Sequence, residues 1–421
     1  ASPDTSTITA DPEAITTDGA ATITVQLRDA KGNELVDGGD TVTLTTGDGE
    51  QLEVEYAGGG AYIATFDPKT PGLVTITGTV NGDAIDSRAT IKVSVGAASP
   101  DTSTITADPE AITTDETALI TVQLRDAKGN ELVDGDDTVT LTTTHGTLTP
   151  VTDNGDGTYT AVFSATTPGT ATISGNVNSA DMIDTVDIEV SVGKANTLTS
   201  TVTSGEASIT AGESTTITVQ LKDAHGNALV TGGDSVELET DLGTVTPVVD
   251  NDDGTYTATF SSTASGTATI AGKLNGQEIA SFVEVEVLPG PADAEQSIME
   301  TSASSITTDD SATITVRLKD AHGNFLTAGG DSVELATDLG TLSPVVDQGD
   351  GTYTAAFSAT TPGTATISGK VNGAAMSDTV VIDVSVGAAD ATTSVMETSR
   401  TSMTTDDSAT ITVRLKDAHG N

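Results

Sequence analysis

The stretch ALITVQLRDAKGN, Ala118 to Asn130, decides the fold. Leu119, Thr121 and Gln123 alternate with Ile120, Val122 and Leu124. A period of two is the signature of a strand with one face buried. Asp126, Gly129 and Asn130 then supply residues that favour a turn. The same turn returns every 97 residues, starting at Arg28, Arg125, Lys222, Lys319 and Lys416, with no insertion or deletion between copies. A fixed period of this kind marks a tandem array before any single element is assigned. It predicts units at 1–97, 98–194, 195–291 and 292–388, with a partial fifth at 389–421.

Outward from that stretch, the second unit reads as strands throughout. Ile105 and Ile112 sit in short leading strands around Asp108-Pro109. After the turn, Thr138 to Thr142 alternates again. Asp153-Asn154-Gly155-Asp156-Gly157 is a tight turn, followed by a strand from Thr158 to Phe163. Thr167-Pro168-Gly169 turns the chain into Thr170 to Val177, and Thr185 to Val192 closes the unit. About seven strands, turns every 8–12 residues and no helical periodicity predict an all-β chain of tandem immunoglobulin-like sandwiches, arranged as an extended rod. Abundant Thr, Val and Ile suit pleated surfaces. The pairs Tyr62/Phe66, Tyr159/Phe163, Tyr256/Phe260 and Tyr353/Phe357 are four residues apart, which puts both rings on one strand face as core anchors.

Composition narrows the function. Lys plus Arg number 16 against 62 Asp plus Glu, a net charge of −46. Nucleic acid is excluded as a partner, because its binding needs phosphates neutralised by Lys and Arg. The charge suits solubility, repulsion between neighbouring units, and binding of hard cations such as Ca²⁺ by carboxylates. Cysteine is absent, which removes disulfides, thiolate metal sites and Cys nucleophiles together. No apolar run approaches the ~18 residues of a membrane span, so this segment inserts into no membrane.

TITVQLRDAKGN (Thr22 to Asn33), DNGDGTYTA (Asp153 to Ala161) and TPGTATISG (Thr167 to Gly175) resemble the bacterial immunoglobulin-like repeats of the intimin/invasin type. The resemblance covers all four units and the partial fifth, and the DGTY turn is also similar to filamin repeats. It implies a stalk of a large adhesin at the bacterial cell surface, with binding domains carried at a tip. In related extender modules it implies Ca²⁺ at the junctions between units.

The acidic turns Asp153/Asp156, Asp250/Asp253 and Asp347/Asp350 invite a calcium reading beside the plain hairpin one. They lack the spacing and the closing bidentate Glu of an EF-hand loop. The first unit has Tyr56-Ala57-Gly58-Gly59-Gly60 at that place, so no common metal site sits on this loop. At the junctions, Asp4 and Asp101 correspond to Leu198, Glu295 and Thr392, so a uniform calcium ladder is not expected. Short Pro-bearing linkers could restrict bending without metal. Asp29, Asp126, Asp223, Asp320 and Asp417 open the repeated turn, and Asp40, Asp137, Asp234 and Asp331 precede a strand. Each reads as a turn former. His225, His322 and His419 stand where Lys31 and Lys128 stand, which predicts solvent-facing side chains rather than catalytic ones. With no G-x-S-x-G, H-E-x-x-H or P-loop, no enzyme is expected, and no cofactor is required beyond possible Ca²⁺.

The leading expectation is a structural stalk at the bacterial cell surface. The expected partners are neighbouring repeats of the same chain, other copies of it, and a surface ligand bound through a domain elsewhere. Strands of about 8 residues at ~3.4 Å give units on the order of 40 Å and a reach of ~150 Å for four. Two other readings stay open: a segment of a self-assembling extracellular filament or sheath, and modules that bind glycan or protein directly. The sequence stops inside a fifth unit, so the expectation is a segment of something longer. Ala389 to Asn421 is expected to be ordered by docking on the fourth unit, by pairing with another chain, or by continuing an ordered polymer.

Overall fold

A computed structural model describes residues 1–421, and every regular element in it is a strand. The chain divides into two compact units: residues 1–195 with 223–227, and residues 196–222 with 228–421.

Within the first unit, the second module shows the plan. Thr104–Asp108, Thr117–Gln123, Thr158–Ser164 and Thr147–Leu148 form one antiparallel sheet in that order, with Thr152–Asp153 also on the Thr158–Ser164 strand. Ala111–Thr113, Ala180–Ser191, Gly169–Val177 and Val139–Thr143 form the other. The leading segment therefore serves both sheets. Thr104–Asp108 pairs antiparallel in the first, and beyond Pro109 Ala111–Thr113 runs parallel to the last strand, Ala111 opposite Glu189. The seven expected strands are all present. Two 2-residue ladders are added, and the closing strand starts at Ala180 rather than Thr185.

Alternation dictates what is buried. Ile120, Val122 and Leu124 face inward with no exposed surface, whereas Leu119 on the opposite face is 46 % exposed. Phe163, Ile173 and Ile188 complete the sandwich centre, each fully buried. A buried side chain of this size contributes about 1.5–3 kcal/mol. Tyr159 joins them while its hydroxyl donates to the Asp137 carbonyl at 2.8 Å, tying the core to the turn before Val139–Thr143. Gly157 allows this close packing. Its φ is 80°, and a Cβ there would meet the Leu132 carbonyl oxygen at 2.1 Å.

The first module keeps the plan with two departures, one being a closing strand split into Asp83–Ala84 and Ala89–Ser94. In the other, Gln51–Leu52 pairs with Val42–Thr46 of the opposite sheet, Leu44 opposite Leu52, and on the side of Ala61–Phe66 away from Ala21–Gln26 only Glu55–Gly58 pairs with it.

In the second unit, Thr201–Ser204 to Gln277–Leu288 build a third sandwich and Ala292–Thr301 to Val380–Ser385 a fourth, with the same strand orders. Tyr256/Phe260 and Tyr353/Phe357 are buried as expected. Val395–Thr398 and Ile411–Arg414 form a hairpin, on which Met396 and Ile411 are exposed. The segment contacts the fourth module through Asp417 and Asn421.

Candidate functional site at the module junctions

The repeated turn is built by its aspartate. Asp126 Oδ1 accepts the backbone N–H of Lys128 at 2.9 Å and of Asn130 at 2.8 Å. The backbone closes the same turn, with Asp126 N–H donating to the Asn130 carbonyl and Gly129 N–H to the Asp126 carbonyl. One carboxylate oxygen is thus committed to turn formation, as the sequence predicts.

The other oxygen leaves the module. Asp126 Oδ2 accepts the Thr17 hydroxyl at 2.5 Å and the Gly96 N–H at 3.3 Å, both from the preceding module and its linker. Gly96 N–H also donates to Thr17 Oγ at 2.8 Å, so hydroxyl, amide and carboxylate close a triangle. Asn130 Nδ2 donates to the same Asp126 oxygen at 2.8 Å and to the Lys69 carbonyl of the preceding module at 3.0 Å. Asp126 and Thr17 have no exposed surface. Burial pushes the Asp126 carboxyl up. The Thr17 hydroxyl, the Asn130 side chain and the Asn130 and Gly96 amides outweigh it and hold the carboxyl at about 2, against the ordinary 3.8. Beside the triangle, Asp18 Oδ2 accepts the Ala97 N–H at 2.8 Å and lies over Gly96, where a Cβ would meet it at 2.2 Å.

The arrangement recurs. Still in the first unit, the Thr114 hydroxyl donates to Asp223 at 2.6 Å, Gly193 N–H to Thr114 at 2.9 Å, Lys194 N–H to Asp115 at 2.9 Å and Asn227 Nδ2 to the Thr166 carbonyl at 2.8 Å. In the second unit, Thr308 donates to Asp417 at 2.5 Å, Gly387 N–H to Thr308 at 2.9 Å, Ala388 N–H to Asp309 at 2.9 Å and Asn421 Nδ2 to the Thr360 carbonyl at 2.8 Å. Burial raises Asp223 and Asp417 too. The hydroxyls of Thr114 and Thr308 lead the hydrogen bonds that carry both carboxyls far below the ordinary range.

One junction is built differently. Ala211 and Gly212 stand where the others have Thr and Asp, and Pro291 where they have an N–H donor. These changes match. Without the hydroxyl, Gly290 N–H donates straight to Asp320 Oδ2 at 2.8 Å, and the proline has no N–H for an aspartate to accept. Ser265 N–H adds a bond to Asn324 Oδ1 at 2.9 Å. Asp29, in the first module, makes the turn with Lys31 and Asn33.

The acidic residues singled out for calcium lie elsewhere. Asp153 accepts Gly155 N–H and Asp156 accepts Thr158 N–H. Asp250 accepts Asp252 and Gly233 N–H groups, and Asp253 accepts Thr255 N–H. Asp347 accepts Gly349 and Gly330 N–H groups, and Asp350 accepts Thr352 N–H. Asp4 and Asp101 lie exposed on leading turns. No three His, Asp or Glu side chains converge in a metal-holding group. Asp40, Asp137, Asp234 and Asp331 each accept an Asn side chain, from Asn81, Asn178, Asn275 and Asn372.

The histidines His225, His322 and His419 are exposed, as their exchange with Lys31 and Lys128 predicts. The His225 Nε2 lies 3.9 Å from Asp115, and His419 stands likewise beside Asp309. They border the junction from its solvent-exposed side. Sequence reasoning missed Thr17, Thr114 and Thr308. The available signal was internal: the Thr-Asp pair recurs at the repeat period and disappears where proline enters the linker.

The sequence model of the family described as "Invasin, domain 3" matches residues 2–96, 99–193, 196–290 and 293–387. Among solved structures, one of invasin, described as a bacterial integrin-binding protein, is 22 % identical over 90 % of this chain and 79 % of that one, with a TM-score of 0.43. The Escherichia coli adhesin FdeC is 24 % identical over 69 % of this chain and 99 % of its own, TM-score 0.39. InvD of Yersinia pseudotuberculosis is 26 % identical over 68 % and 99 %, TM-score 0.40.

Proposed function

Because this chain belongs to the invasin domain 3 family, we propose that it is a stalk segment of a bacterial surface adhesin whose junctions are latched rather than free. Family and fold are those of adhesin structural domains. The observation that carries the reading is the buried aspartate that shapes a turn in one module and binds the Thr hydroxyl and linker amide of the one before. A stalk must hold each module at a fixed angle to the last. A linker of a few residues does this poorly alone, and a second attachment point restricts its rotation. The high negative charge adds repulsion that opposes folding back and sticking to copies of itself. The protein stands on the outside of the cell and presents a ligand-binding domain at its far end.

Calcium stiffening is the finer reading. The turn carboxylates are already engaged by backbone N–H groups, and this favours a latch that works without metal. Small-angle scattering in Ca²⁺ and in EDTA tests both points. The stalk reading expects an elongated particle whose maximum dimension shrinks when Thr17, Thr114 and Thr308 are all replaced by Val. A globular particle in both buffers would refute it. A dimension that changes with Ca²⁺ in the unsubstituted chain would favour calcium stiffening instead.

A further inference from the structure

The first module leaves a strand edge open that the other three close. In those three, the dipeptides Thr147–Leu148, Thr244–Val245 and Thr341–Leu342 pair with the ends of the Tyr/Phe strands, Thr147 opposite Ser164 and Leu148 opposite Phe163. Just beyond, Thr149, Thr246 and Ser343 bond the same strands at Val162, Thr259 and Ala356 through both backbone N–H and hydroxyl. Pro150, Pro247 and Pro344 follow.

In the first module Gly47-Asp48-Gly49-Glu50 replaces that crossing with a hairpin. Thr46 N–H donates to the Glu50 carbonyl at 2.9 Å, and Glu50 N–H donates back to the Thr46 hydroxyl at 3.0 Å. Gln51–Leu52 is thereby kept in the opposite sheet, and Glu53 stands where the others have Pro. On the Ala61–Phe66 strand only Tyr62 and Ile63, with Ala61 at the bulge, have a partner on that side. By the repeat, Thr65 corresponds to Val162, whose N–H and carbonyl point to that side. A cavity of about 470 Å³ lies along the open stretch, lined among others by Glu50, Glu53, Glu55, Thr65, Asp67 and Lys69.

We propose that this edge is a docking site for an extended, lysine-bearing peptide segment of a partner protein, which adds a short antiparallel strand beside Thr65. Unpaired N–H and C=O groups on an exposed strand template such addition. The cavity has the size of a ligand site. About three residues at ~3.4 Å each would follow the strand from Ala64 to Phe66. Charge selects the occupant. Four carboxylates line the cavity against Lys69, 3.9 Å from Glu50, and Lys128 of the next module, 3.4 Å from Asp67, so Glu53 and Glu55 carry the excess that favours cationic side chains and disfavours a second copy of this acidic chain. Alternate residues of the peptide would face Glu53 and Glu55.

The test uses the 421-residue chain and a blocked, fluorescent hexapeptide alternating lysine and threonine. Anisotropy titration at low salt is expected to show one peptide per chain. N-methylation of alternate peptide bonds should weaken binding about tenfold, through the lost main-chain hydrogen bonds. Thr65→Pro should do the same, since it removes an outward N–H and leaves the pairing with Ala21–Gln26 intact. Should Thr65→Pro lower the melting temperature, Glu53→Lys with Glu55→Lys provides the second variant, expected to weaken binding while the melt stays unchanged, since both side chains are exposed. No binding, several peptides per chain, or binding indifferent to N-methylation would each overturn the proposal, the last two as adsorption to a charged surface.

Discussion

Replacing Thr17 with Val keeps the shape of a buried side chain and removes only its hydroxyl. In the native junction that hydroxyl donates to the Asp126 carboxylate at 2.5 Å and accepts from Gly96 N–H at 2.8 Å. A hydrogen bond to a charged, buried group is worth about 1.5–3 kcal/mol. The Gly96 amide, already 3.3 Å from Asp126 Oδ2, can turn fully to the carboxylate, as Gly290 does beside Ala211. The loss should therefore be confined to one charged bond. At 1.4 kcal/mol per decade, the Gly96 amide should exchange with solvent deuterium about ten to a hundred times faster. Core amides of the same module, such as Ile120, should not change, because no sandwich contact is touched. Hydrogen exchange resolved by NMR reads both amides in one experiment. Unchanged exchange at Gly96 would refute the latch. Equal acceleration at Ile120 would show that the threonine serves general stability and not the junction.

Other outcomes follow from the same geometry. Ala211→Thr should slow exchange at Gly290 by restoring a hydroxyl beside Asp320, and exchange that is unchanged or faster would count against it. Gly96→Ala should destabilise by about 1–3 kcal/mol because its Cβ would lie 2.2 Å from Asp18, while Gly290→Ala, with nothing nearer than 3.5 Å, should stay within about 0.5 kcal/mol in urea denaturation. Phe163→Ala should cost about 3–5 kcal/mol in the same assay as a core truncation. Asp126 titrates lower folded than unfolded, so its contribution is complete above about pH 4 and is lost as pH falls through about 2. Carboxyl-carbon NMR should place its midpoint there, against the ordinary 3.8 for an unpartnered aspartate.

The strands were legible because alternation is local: Ile120, Val122 and Leu124 are buried for a reason visible within six residues. The same holds for the aromatic pairs, whose four-residue offset fixes their face. The latch was half legible. Asp126 reads as a turn former and is one through Oδ1, but its second oxygen meets a threonine 109 residues away, a separation no local pattern encodes. The departure of the first module was also hidden. Gly47-Asp48-Gly49 and Glu53 differ visibly from the other copies, yet only pairing reveals that they send Gln51–Leu52 to the opposite sheet. The acidic loops drew attention by composition, while their carboxylates are engaged mainly by backbone amides of their own turns.

The latch also determines how a pulling force would travel. Tension applied along the chain reaches the second module by the covalent Val95-Gly96-Ala97 segment and, in parallel, by non-covalent contacts, the Thr17–Asp126 bond and the Asn130–Lys69 bond among them. The linker cannot straighten until those contacts part, so small loads are borne by hydrogen bonds at the junction while both sandwiches stay intact. Since the covalent linker places Gly96 within bonding reach of both Thr17 and Asp126, it keeps the parts close after rupture and they can re-engage once tension falls. A chain of such joints would yield in small recoverable steps well before any module opens.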